Sequence, residues 1–62
     1  MKQFTTKNNT YYINESFKML SGGILGTDVK KYVVAKVELN HGGYFEFTDG
    51  SVLETSTIVE IV

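Results

Sequence analysis

From Val29 to Thr48 apolar and polar side chains alternate over the longest stretch of the chain. Val29, Val33, Ala35, Val37 and Leu39 fall on one side and Lys30, Tyr32, Val34, Lys36 and Glu38 on the other, the period of a strand with one buried face. Beyond His41-Gly42-Gly43, Phe45 and Phe47 alternate with Tyr44, Glu46 and Thr48, so the two runs predict a hairpin. Parity selects its loop. A two- or four-residue loop sets Val37 against Glu46, whereas a three-residue loop of His41, Gly42 and Gly43 pairs Leu39 with Phe45 and Val37 with Phe47. A glycine is then expected in the left-handed position, where it carries no Cβ penalty.

Lys2–Thr6 and Thr10–Asn14 read as an earlier hairpin around Asn8-Asn9, with Phe4 opposite Ile13, Thr6 opposite Tyr11, and Thr5 and Tyr12 on the other face. Glu15–Ser21 fits a strand through its Phe17/Met19 alternation, the reading we favour, or a short helix capped by Asn14 and stopped by Gly22. Three glycines between Gly22 and Gly26 predict an irregular, apolar-tipped loop over Ser21–Thr27. Asp49-Gly50 predicts a two-residue turn with Phe47 opposite Val52. Leu53 then points outward, so either the second face is partly covered or a bulge resets the alternation. Thr55-Ser56-Thr57 is expected to interrupt the chain with a tight or 3₁₀ turn before a last apolar strand, Ile58–Val62.

The expected fold is all-β, a single domain over residues 1–62 with five or six antiparallel strands and at most one short helical turn. A closed or nearly closed barrel is the economical arrangement because closure removes exposed edges. In its order, with a loop-rich N-terminal half, three meander strands, a short turn and a final strand, the chain resembles an SH3-like barrel. The acidic and aromatic peptide-groove pattern of SH3 domains is missing, so the resemblance implies architecture and no ligand.

Sixty-two residues bury only about 60% of the surface of the unfolded chain, which leaves a thin core. With no Cys and one His, neither a disulfide nor a zinc cluster can reinforce it, and no metal or cofactor is expected. Self-association can. Ile58-Val59-Glu60-Ile61-Val62 is apolar on both faces, and a symmetric dimer would cover what a single sheet leaves open. The expected partner is therefore a second copy or another protein. No stretch approaches the roughly 18 apolar residues of a membrane span and the N-terminus has no apolar leader, so a cytoplasmic location without membrane attachment is expected. Charge is split along the chain. Residues 1–36 hold six Lys against Glu15 and Asp28, net +4, and residues 37–62 hold five acids and no Lys, net −5. Such halves either offset one another across neighbouring strands or give the molecule a basic and an acidic side.

Candidate chemistry is sparse. Opposed on one hairpin face, Glu38 and Glu46 would bring two carboxylates about 5 Å apart, but an open sheet does not desolvate them and Lys36 sits diagonal to Glu46. His41 lies in a turn without a Cys, His or acid partner. The Gly22–Gly26 loop lacks the following helix that phosphate binding requires, and no Gly-x-Ser-x-Gly elbow occurs. An enzyme is not expected. Tyr11, Tyr12, Tyr32 and Tyr44 with Lys7, Lys18, Lys30 and Lys31 resemble in composition a surface that stacks single-stranded bases, against which stand the near-neutral total charge and the absence of Arg. The leading expectation is a non-enzymatic accessory module that binds protein or itself. Tyr12, Lys30, Lys31, Tyr32, Tyr44, Ile58 and Ile61 are its candidate contact residues, and single-stranded nucleic acid is the alternative ligand.

Overall fold

A computed structural model describes Lys2–Val62. Six antiparallel strands, β1 (Lys2–Thr6), β2 (Thr10–Asn14), β3 (Met19–Gly22), β4 (Val29–Lys36), β5 (Gly42–Phe47) and β6 (Val52–Ile61), follow one another around a closed barrel, and β6 pairs with β1 to shut it. The all-β, antiparallel meander is thus as expected, and the count is the higher of the two. Among the described residues no helix is long and apolar enough to cross a membrane.

Alternation fills the interior. Phe4, Tyr11, Ile13, Leu20, Tyr32, Phe45, Phe47, Leu53 and Ile58 are buried there. Phe4 stacks on Tyr11 at 5.0 Å and on Phe45 at 6.0 Å between ring centres, Phe45 on Phe47 at 6.4 Å, and Tyr32 meets Phe45 edge-on at 5.8 Å. Offset aromatic contacts of this kind add about 0.5–1.5 kcal/mol each to area burial.

The first hairpin keeps its expected faces and changes its register. Phe4 lies opposite Tyr11 and Lys2 opposite Ile13, because Thr6–Asn9 forms the loop, closed by Thr6 N–H donating to Asn9 O at 2.8 Å. A shift by two residues preserves parity, so Phe4, Tyr11 and Ile13 still point inward. Residues 15–21 are neither one strand nor a helix. Glu15–Lys18 is a turn, with Asn14 Oδ1 accepting from Phe17 N–H at 3.2 Å, and β3 begins only at Met19. The glycine-rich stretch is more regular than expected. Its first residues belong to β3 and Gly23–Leu25 forms a 3₁₀ turn that packs Leu25 against the core.

The central hairpin departs most from expectation. Ala35 pairs with Phe45 and Lys36 with Tyr44, so seven residues, 37–43, lie inside the last β4–β5 pair, of which Gly42 and Gly43 already belong to β5 on its β6 side. No glycine of the loop has positive φ. Asn40 takes that conformation at φ 69°, and its N–H donates to Ile58 O at 2.8 Å, which ties the loop to β6. Gly42 and Gly43 instead let β6 approach, since a Cβ on Gly42 would lie 2.7 Å from Thr55 O. Within β4 the register shifts between Tyr32 and Val34, leaving Val33 as the extra residue of a bulge. Alternation therefore reverses there. Tyr32 is buried before it, Ala35 faces Phe45 after it, and Val29 and Val33, expected inside, are exposed.

Around Asp49-Gly50 the loop has three residues. Phe47 N–H donates to Ser51 O at 2.9 Å and Gly50 takes φ 89°, so Leu53 faces Phe45 inside and Val52 is exposed. Thr55-Ser56-Thr57 does not break the chain. It is a bulge in β6, where Thr55 Oγ1 accepts from Gly43 N–H at 2.8 Å and the single long strand bends from β5 toward β1.

Candidate interaction surface

β3 is too short to accompany β4 along its length. It pairs with β4 only through Lys31, Lys30 and Val29, and the last backbone link is Tyr32 N–H donating to Lys18 O at 2.9 Å. Beyond it, among the described residues, Val33–Lys36 pairs with β5 on one side and with no strand on the other. Hydrogen-bond alternation says which groups this leaves free. Phe47 directs its N–H toward β6, so Phe45, two residues away, does the same; its β4 partner Ala35 then turns N–H and C=O away from β5. Ala35 is exposed, and among the described residues no backbone partner takes these groups.

Two depressions flank this edge. One, of about 180 Å³, is lined by Ile13, Tyr32, Ala35 and Val37 beneath the Lys2–Glu15 ion pair at 3.6 Å. The other, of about 360 Å³, has Phe17, Tyr32 and Val33 as its apolar lining, with Lys18 and Lys31 on its rim. Phe17 is 65% exposed and Val33 58%. The Asn14 side chain and the positive φ of Lys18 hold Phe17 at the tip of its turn, where no interior position could reach it. Lys18 and Lys31 form no ion pair among the described residues, unlike Lys30, which lies 3.1 Å from Asp49 and 4.5 Å from the Phe47 ring centre. Burial raises the pKa of Tyr32, with the Glu15 charge adding to it, so its phenol stays neutral at the base of the groove.

The candidate contact residues separate. Lys31 and Tyr32 meet in the groove. Tyr12 is exposed on β2, its ring beside Gly22, and Ile61 is partly exposed at the end of β6. Ile58 is a core residue and unavailable to a partner, and Tyr32 contributes as buried floor, not as a protruding ring. Tyr44 lies on the outer face of β5, where its hydroxyl donates to Glu46 at 2.7 Å; that bond, then burial and the Glu46 and Glu54 charges, raises its pKa. Glu38 and Glu46 are not opposed, since Glu46 faces Val34 and Val52. Phe17 and Val33 were not among the candidates, because both were read as strand residues, and Lys18 entered only with the lysines of the nucleic-acid alternative.

The chain matches no protein family, and comparisons with curated proteins and solved structures likewise found no match.

Proposed function

We propose that this protein is a non-enzymatic interaction module whose working surface is the β4 side of the barrel, used to bind protein or a second copy of the chain. The observation that carries this reading is the unpaired backbone of Ala35 beside a groove floored by exposed Phe17 and Val33. A free strand edge supplies directional hydrogen bonds and the groove supplies apolar area, the combination by which sheets accept an added strand. Sedimentation equilibrium across a wide concentration range, at low and moderate salt, tests the self-associating form. A mass above the 7.0 kDa monomer is expected, and a monomer at every concentration would remove it.

Single-stranded nucleic acid is the second reading, and Phe17 between Lys18 and Lys31 is the arrangement that favours it. It is the weaker reading because Tyr11 and Tyr32 are buried inside the barrel and Tyr44 sits among carboxylates that repel phosphate. Titration of labelled single-stranded DNA and RNA at low salt is expected to show little binding. Tight binding that weakens steeply with salt and disappears in Lys31→Ala would reverse the order of the two readings.

A further inference from the structure

We infer that the occupant of the β4 edge is a second copy of the chain, joined antiparallel through β4 with Ala35 on the two-fold axis. The inference rests on the interaction-module reading and adds the partner and the geometry. A two-fold axis at Ala35 lets the N–H of each Ala35 donate to the C=O of the other, the groups that neither β3 nor β5 uses. The same register sets Val34 against Lys36 of the second copy and carries that copy's Glu38 and Leu39 to the level of Tyr32 and Lys31. There β3 resumes. The incoming strand must end, and residues 37–41 already leave the strand in a turn closed by His41 N–H donating to Glu38 O at 3.2 Å.

Charge and apolar surface match at that point. Glu38 and Leu39 are exposed, Leu39 by 50%, and arrive beside the exposed Phe17, Val33, Lys18 and Lys31. Lys18 and Lys31 have no carboxylate partner within the molecule among the described residues. The bulge at Val33 and the lysines at positions 31 and 36 discourage long or cationic strands from adding to this edge. They admit a short strand that ends in an acid, and β4 with its Glu38 turn is such a strand. Two-fold symmetry uses each contact twice.

A charge exchange tests this. Glu38→Lys alone and Lys18→Glu with Lys31→Glu each place like charges across the axis, so each variant is expected to sediment as a monomer. An equimolar mixture of the two restores opposite charges at both contacts and is expected to give the mass of a pair. Ala35→Pro removes only an edge donor and is expected to weaken association by roughly tenfold or more. Amide NMR spectra of each variant check that it remains folded. A wild-type protein that stays monomeric overturns the inference, and the self-associating form of the underlying reading with it. A wild type that dimerises equally well with every one of these substitutions overturns the inference alone, because association then uses another surface.

Discussion

Gly23 has little freedom to change. Its φ is 53°, and a Cβ there would fall 2.1 Å from the Tyr11 ring, which closes one end of the aromatic column while its hydroxyl accepts from Ile24 N–H at 3.5 Å. Gly26 has a similar φ of 64° but nothing within 4 Å of the same position. A positive φ is common to both and the clash belongs to one. Gly26→Ala is therefore expected to cost about 1 kcal/mol, and Gly23→Ala about 3 kcal/mol or more because the ring must also move. Urea unfolding of the two variants separates the terms; equal costs would mean that the 3₁₀ turn yields without disturbing Tyr11.

The Thr48–Gly50 turn carries a pH dependence of its own. Hydrogen bonds from the Ser51 hydroxyl and backbone, followed by Lys30, lower the Asp49 pKa from 3.8 to about 2. A depressed carboxylate pKa stabilises the fold fully above the unfolded value, so this contribution is present above pH 4 and disappears as pH falls from about 4 toward 2. NMR titration of the Asp49 carboxyl is expected to show the low midpoint, and Ser51→Ala should raise it only in part, because the backbone N–H of residue 51 and Lys30 still face the carboxylate. How far such elements were legible depends on whether local alternation was left undisturbed. β1 and β2 were readable to their ends, since a register shifted by two residues leaves Phe4, Tyr11 and Ile13 on the inner face. β4 was not, because a bulge at Val33 is a barrel-scale response to curvature and leaves no mark in a Lys-Tyr-Val-Val sequence that alternates acceptably in either phase. The hydroxyl run Thr55–Thr57 misled for the opposite reason: it reads as a turn, yet Thr55 Oγ1 serves the bulge by taking the Gly43 N–H. Of the interaction surface, Lys31 and Tyr32 were visible in the sequence. The free edge at Ala35 was not, as it follows from the difference in length between β3 and β4.

At the scale of the whole molecule the two oppositely charged halves of the chain meet at Lys30 and Asp49, which form an ion pair at 3.1 Å. Among the described residues every strand pairing but one joins strands that are neighbours in the chain. β6 meets β1 across almost the full sequence, with Phe4 opposite Ile61 and Gln3 and Val62 exchanging backbone hydrogen bonds at 3.2 and 2.8 Å. This seam makes time a structural variable. Five hairpins can form with little loop entropy, whereas the seam must wait until the rest of the chain has brought its ends together. The folding barrier is then expected to precede the seam. Ile58→Val, on the seam, should accelerate unfolding and leave the folding rate nearly unchanged, while Tyr11→Leu in the first hairpin should slow folding. Stopped-flow chevrons for the two variants decide it, and a slowed folding limb for Ile58→Val would place closure of the ring at the start of folding instead of its end.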